Sequence, residues 1–383
     1  MRKSLLGGLT SRAFLRNYWH KQPLLVRGAV PGFAGFIDRA GLMEAACREG
    51  VPTRLVVRRG TRYDVRHGPF ARRDFRTLPA RNWSLLVQEV NHFLPAADAL
   101  MREFSFIPLA RLDDVMVSLA PPGGGVGPHF DSYDVFLLQG CGRRRWRVST
   151  QTDLELVPDA PLKILKRFVP AREWVLEPGD MLYLPPAHAH EGVALDECIT
   201  YSIGFRAPSA QELAQAFLDH LRDTIELSGR YQDPDLGPQR NPGAIGSAMT
   251  AQVAAMLARI RWSRRNVKRF LGRYLTEPKP HVFFDLPRAP LSRARFLSCA
   301  ERDGIVLSLK SRMLFDRDCI YLNGEMHALS GPAATGLRPL ANTGKLPTGS
   351  RFGAEVADLL YQWYRAGYVE FQPAISREKG TQP

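Results

Sequence analysis

Polar and apolar residues alternate with a period of two through much of the first half of the chain. Val115-Met116-Val117-Ser118-Leu119 and the more continuous run from Asp134 to Gly140 predict strands, joined across the glycine-rich loop Pro121 to Pro128. A turn at Gly140-Cys141-Gly142 leads into Arg143-Arg144-Arg145-Trp146-Arg147-Val148. There Arg144, Trp146 and Val148 share one face, and Arg143, Arg145 and Arg147 share the other. The face with tryptophan and valine is the inward one, so Arg144 is predicted to be buried. Leu176 to Asp180 reads as a turn launching a strand, Met181 to Leu184, that ends at Pro185-Pro186, and Thr53 to Val57 is a further strand.

The period then changes to that of a helix. Ser209-x-x-Glu212 forms a capping box for a helix whose Leu213, Phe217, Leu221 and Ile225 recur on one side. After a loop rich in Gly, Pro and Asp from Ser228 to Pro242, helices are expected at about 246 to 261, 263 to 274, 292 to 303 and 354 to 366. Shorter helices are expected over Asp38 to Arg48 and beginning within Asn82 to Phe93. Strands at 305 to 310 and 312 to 316, a hairpin at Ile320 to Glu325 turning on Asn323-Gly324, and a strand near Tyr368 to Phe371 complete a winged-helix-like pattern.

Candidate chemistry lies among the first set of strands. In extended chain the side chains at i and i+2 point the same way, so His129 and Asp131 can grip one metal ion together. A third ligand from a distant strand would complete the two-histidine, one-carboxylate set that holds non-haem Fe(II) and leaves positions open. That ligand is sought in Pro185-Pro186-Ala187-His188-Ala189-His190-Glu191-Gly192, where parity does not separate His188 from His190. A buried Arg144 needs an anion, and a dicarboxylate cosubstrate beside the metal would provide one through a bidentate pair.

These segments resemble the JmjC-type, cupin-fold Fe(II)- and 2-oxoglutarate-dependent oxygenases. The likeness is strongest to the bacterial ribosomal oxygenases that hydroxylate an arginine of large-subunit ribosomal protein sixteen. It is carried by Asn82 to Gln88, Gly123 to His129, Tyr133 to Phe136, Gly142 to Val148, Glu177 to Asp180 and Tyr201 to Pro208. The family's iron histidine stands directly before Glu-Gly, which selects His190 and gives His188 a place at the rim. The resemblance implies that Arg144 binds the far carboxylate of 2-oxoglutarate, with Ser118 a hydroxyl partner and Ser202 close by. It also implies that O2 is the second cosubstrate. Tyr133, with Asp113, Asp114 and Asp134, is a candidate for contact with an arginine substrate.

The fold expected is α+β. A double-stranded β-helix (cupin/JmjC barrel) over residues 1–208 is followed by a helical dimerisation segment at 209–275 and a winged-helix-like domain at 276–383. The partners implied are a large-subunit ribosomal protein and a second copy of the chain, with ribosomal RNA in proximity. The alternatives are histidine hydroxylation or demethylation of another protein, or a non-catalytic cupin or nucleic-acid-binding module. An intact triad beside a buried arginine argues against the last.

Composition narrows the picture further. A chain of 383 residues with 45% hydrophobic and 23% charged residues is an ordinary globular composition. No apolar run approaches the roughly 20 residues of a membrane span, and the apolar part of Met1 to Leu9 is too short for a signal peptide. Cysteines 47, 141, 198, 299 and 319 form neither a disulfide framework nor a closely spaced metal pair, so a cytoplasmic protein without zinc is expected. A charge of +14 favours polyanions such as RNA, and it repels an isolated basic ribosomal protein at long range.

Overall fold

In the computed structural model, which describes residues 5–238, 240–329 and 331–372, the alternating segments of the first half become two facing sheets. The strands are β1 (Leu24–Val26), β2 (Thr53–Arg59), β3 (Arg62–His67), β4 (Trp83–Val87), β5 (Leu112–Ala120) and β6 (Val135–Cys141), then β7 (Arg144–Val148), β8 (Arg172–Leu176), β9 (Met181–Leu184), β10 (His190–Ala194) and β11 (Cys198–Phe205). Eight of them form one antiparallel sheet in the order β1-β9-β6-β11-β5-β4-β2-β3, and β10-β7-β8 form the second. An isolated antiparallel bridge between His129 and His190 extends the second sheet by one residue.

Away from its exposed β3 edge the large sheet is buried on both faces, and the two faces differ in chemistry. Outward from the barrel, Leu85, Val117, Leu119, Phe136, Leu138, Tyr201 and Ile203 join a core with the N-terminal helices α1 (Ser11–Asn17), α2 (Arg39–Ala45), α3 (Arg72–Arg76) and α4 (Pro95–Arg102). Phe14 of α1, whose N-terminus is capped by Thr10, packs its ring 5.0 Å from Tyr183 and 5.5 Å from Phe136. Inward, the same strands present Ser84, Asp114, Met116, Ser118 and Ser202 to a cavity. The two-residue period of a strand thus separates a sealing face from a working face.

One sequence expectation is corrected here. Asn82 to Phe93 does not begin a helix: Trp83–Val87 is β4, hydrogen-bonded between β2 and β5 and buried at every position. Trp83, Leu86, Val87 and Val90 do stand at helical spacing, but pairing with β2 and β5 prevails, and Glu89 in the left-handed region (φ 55°) ends the extended run before a single 3-10 turn at Val90–His92.

The second half is built on α5 (Ala210–Thr224), opened by the Ser209–Glu212 capping box, α6 (Ser247–Leu257) and α7 (Arg264–Thr276). Next come α8 (Arg293–Asp303), β12 (Ile305–Leu307), β13 (Met313–Phe315), β14 (Cys319–Leu322), β15 (Glu325–Ala328), α9 (Gly331–Thr343), β16 (Lys345–Leu346), α10 (Ala354–Arg365) and β17 (Val369–Phe371). They enclose a separate core around Phe296, Leu337, Leu340, Leu360 and Trp363. α9 has no counterpart in the sequence expectation, because Gly336 and Pro339 lower its helix propensity, and burial of Leu337 and Leu340 outweighs that. α7 packs on both α5 and the β13–β15 sheet, and a side chain at Gly272 would strike the Tyr321 ring at 2.5 Å. Among the described residues no helix is long and apolar enough to cross a membrane. The first four residues of the Met1 to Leu9 stretch lie outside the described residues.

Candidate metal centre and cosubstrate cavity

His129, Asp131 and His190 converge, their ligand atoms all within 4.8 Å of one another. Backbone pairing sets the geometry. His129 and His190 exchange both main-chain hydrogen bonds, at 2.9 and 2.7 Å, and the Asp131 carbonyl accepts from the Ala187 amide at 2.8 Å. Each imidazole is oriented through its Nδ1–H, which donates to Gly127 O (2.9 Å) in His129 and to His188 O (2.8 Å) in His190. That leaves each Nε2 lone pair for a metal, and His190 Nε2 stands 3.7 Å from Asp131 Oδ2. Burial and the neighbouring His129 push the His190 pKa down to about 4, so its ring is neutral and ready to coordinate at neutral pH.

His188 lies elsewhere. Ala187 adopts a left-handed conformation (φ 61°), so the chain turns between Pro185 and Ala189, and the His188 Nδ1–H donates back to Pro186 O at 3.2 Å. Its backbone carbonyl, not its ring, serves the triad.

The triad opens into a cavity of about 500 Å³ between the two sheets. β7 buries Arg144, Trp146 and Val148 and leaves Arg145 and Arg147 half exposed. Arg144 Nη1 donates to Ser118 Oγ at 3.1 Å, while Nε and Nη2 are buried without a partner among the described residues. A buried guanidinium with two orphaned donors is a strong anion site, because each unmade charged hydrogen bond is costly. The Trp146 ring lies 5.8 Å from the guanidinium and 5.9 Å from the His190 ring. It sits over Gly192, where a Cβ would strike the indole at 2.7 Å. The donor set and the unpaired cation therefore fit Fe(II) with a chelating dicarboxylate. Ser202 lines the same cavity, buried, on β11.

Of the acidic candidates, Asp114 reaches the cavity and Asp134 does not. Asp134 is fully buried on the outer side, where it accepts from Tyr183 Oη at 2.5 Å and meets His20 and Arg111. Asp113 borders the cavity but is engaged by Arg206, Lys279 and Arg312. Asp114 Oδ2 accepts from the Glu89 amide at 3.1 Å, and a methyl group at Gly204 would lie 3.4 Å from Oδ1. Burial and the charge of Asp113 push the Asp114 pKa up to about 6. Tyr133 is at the rim, 39% exposed.

The wall behind these acids is closed by residues from far downstream. Arg312 Nη1 donates to Leu112 O at 2.8 Å and Nη2 to Asp113 O, while Lys279 and His281 hold Glu89 at 2.8 and 2.9 Å. Despite its burial, hydrogen bonds from His92, Lys279 and His281 and the Lys279 charge hold the Glu89 carboxyl well below the usual carboxylate range. Sequence reasoning missed Arg54 and Ser84, which line the cavity with Arg54 Nε and Ser84 Oγ buried and without a partner among the described residues. Polar residues at the inward positions of β2 and β4 carried the signal.

Comparison with known proteins sets this geometry in context. Residues 99–213 match a family model described as a JmjC domain, and residues 259–370 match one described as a ROXA-like winged helix. The chain is 36% identical over 370 residues to the ribosomal protein uL16 3-hydroxylase of Escherichia coli K12, spanning 94% of this chain and 97% of that protein. It is 40% identical over 232 residues to a probable ribosomal oxygenase of Haemophilus influenzae, spanning 60% of this chain and 55% of the relative. The solved structure of Escherichia coli YcfD, a ribosomal oxygenase, in complex with cobalt and 2-oxoglutarate superposes with a TM-score of 0.80. That match has 33% identity and covers 95% of this chain and 99% of the other.

Proposed function

Because the chain belongs to the JmjC-domain ribosomal oxygenases, we propose that it hydroxylates an arginine side chain of a large-subunit ribosomal protein, holding Fe(II) through His129, Asp131 and His190. The observation that carries this reading is one cavity containing both the triad and the unpaired Arg144 guanidinium. Bound there with 2-oxoglutarate and O2, Fe(II) would supply the oxidation of a C–H bond to C–OH, with succinate and CO2 as the co-products that account for the second oxygen atom.

The protein's own share is placement. Arg144 and Ser118 take the far carboxylate and fix the direction of the cosubstrate, with Ser202 beside them. Trp146, its ring 5.9 Å from that of His190, and Leu137 line the cavity and limit water there. Asp114 offers a carboxylate to a guanidinium entering past Tyr133, which favours a cationic side chain over a neutral imidazole. A second, open hollow shares Arg54 and Gln88 with the cavity and runs to His281, giving the substrate chain a path out.

The remaining parts follow from the same reading. The barrel unit runs through 208, the pairing segment spans 209–275 and the winged-helix-like unit begins at 276, with residues 373–383 of the stretch expected for it lying outside the described residues. Leu218, Ile245, Leu257 and Trp262 are 64%, 82%, 57% and 57% exposed within 209–275, a surface that a second copy would cover. A solution mass of a single 42.9 kDa chain would remove the dimer from this reading. Ribosomal proteins are made and assembled in the cytoplasm, and that is the compartment implied.

The direct test is to incubate the protein with large-subunit ribosomal proteins, Fe(II), 2-oxoglutarate and O2, then to examine peptides for the gain of one oxygen. A gain on arginine is expected. Succinate formed without a modified ribosomal peptide would remove the substrate while leaving the chemistry.

A pH dependence follows from Asp114. Its carboxyl is neutral below about 6 and charged above, so attraction for a guanidinium grows as pH rises through that value. The KM for an arginine peptide is expected to fall roughly tenfold between pH 5 and pH 7 as the ionised fraction rises, and Asp114→Asn should flatten the profile. A profile unchanged by that substitution would place the guanidinium elsewhere.

A further inference from the structure

We infer that the β2–β3 hairpin and α3 form an RNA-binding surface beside the mouth of the oxygenase cavity, through which the enzyme meets its substrate next to ribosomal RNA. The inference rests on the ribosomal substrate proposed above, and it concerns a part of the chain that takes no role in the chemistry.

Charge is concentrated there. Residues 54 to 81 contain nine arginines and two aspartates, a surplus of seven that is half of the +14 carried by the whole chain. Arg59, Arg62, Arg66, Arg72, Arg73, Arg76 and Arg81 are exposed. Two of them have carboxylate partners, Arg59 with Asp64 at 3.1 Å and Arg66 with Asp74 at 3.0 Å. Arg62, Arg72, Arg73, Arg76 and Arg81 form no ion pair among the described residues.

The arrangement works against the stability of the free protein. Arg59 and Arg62 are directly opposite in the β2–β3 ladder, and like charges in that position destabilise a sheet. Arg66 reaches across to Asp74 of α3, which joins the strand arginines and the helix arginines into one surface. An anion repeating along a backbone would relieve the repulsion at several points together, and the arginine fork matches phosphate oxygens in pairs.

Its position gives it a purpose. β3 is the edge strand of the large sheet, and β2 supplies Arg54 to the cavity from its other face. Tyr63 of β3 packs on the entrance loop, where a Cβ on Gly127 would be 2.8 Å from Tyr63 Oη. The surface therefore adjoins the mouth, and RNA bound on it brings an attached basic protein to the cavity. The long-range repulsion between two basic proteins then becomes an attraction that both have for one polyanion. An anionic membrane fits less well, because no large hydrophobic residue between 54 and 81 is among the exposed ones, and membrane-surface elements pair basic residues with an apolar face.

The test uses the full chain and a fluorescein-labelled RNA stem-loop, with anisotropy followed across a salt series. Wild type should bind, with log K falling linearly against log salt. A variant carrying R62E, R72E, R73E and R76E should bind at least roughly tenfold more weakly, with the salt slope reduced by about 3. Its hydroxylation of a free arginine peptide should be unchanged, and its melting temperature should not fall, because R62E sets opposite charges against each other in the β2–β3 ladder. A charge-matched variant carrying R288E, R295E, R317E and K345E, all in the winged-helix-like unit, should keep wild-type RNA affinity. The inference is overturned if wild type binds no RNA, if the two variants lose equally, if only the second loses, or if phosphatidylglycerol vesicles bind wild type more tightly than RNA. Peptide hydroxylation is read separately, so failure of the enzymatic reading is distinguishable from failure of the RNA surface.

Discussion

His190→Ala is expected to lose iron and abolish hydroxylation, whereas His188→Ala should retain both. His190 is 3% exposed, and its Nδ1–H is fixed on a backbone carbonyl so that Nε2 faces Asp131. Removing the ring leaves a histidine and a carboxylate, too few to hold Fe(II) in an open site. Loss of an outer partner of a metal ligand costs roughly 10–100-fold, so loss of the ligand itself should exceed that range. His188 contributes its carbonyl, which alanine preserves. Iron stoichiometry by mass spectrometry and single-turnover succinate formation read the two effects separately. Iron retained in His190→Ala and lost in His188→Ala would reverse the assignment.

Arg144→Met should move affinity and stability in opposite directions. The substitution keeps much of the volume and removes a buried cation with two unsatisfied donors. Charged hydrogen bonds contribute roughly 1.5–3 kcal/mol each, so losing a bidentate pair should raise the KM for 2-oxoglutarate by about 10²–10⁴. In the absence of ligand the same change relieves an uncompensated charge, and the melting temperature of the apoprotein should rise by a few degrees, corresponding to about 1–2 kcal/mol. A lower melting temperature with unchanged KM would make Arg144 a structural cation.

Sequence pattern carried the site further than the elements around it. Parity alone identified Arg144 as inward, because β7 is regular and its alternation holds over five residues. Parity could not choose between His188 and His190. They stand at i and i+2, which an extended chain would place on one face, but β10 begins only at His190, and His188 still belongs to the turn that Ala187 makes with its left-handed backbone. β4 was misread because a strand buried on both faces loses its alternation and resembles a buried helix over five residues. Asp134 was misplaced for a different reason. It lies three residues after Asp131, yet its carboxylate is held on the far side of the sheet by Tyr183, a contact 49 residues apart that local pattern does not reveal. α9 was hidden by glycine and proline, whose propensities tertiary burial overrode.

Arg312 and Lys279, anchored on Asp113 and Glu89, have a consequence for how the enzyme comes into being. Arg312 grips the backbone of Leu112 and Asp113 across about 200 positions of chain. A nascent barrel emerging from the ribosome lacks that brace until translation has passed residue 312. The catalytic strands are thus synthesised well before the wall that supports Asp114 is finished. A chain cut short after the barrel should be able to fold around the triad yet lack the bracing of its acidic wall, so selectivity for the substrate is acquired last.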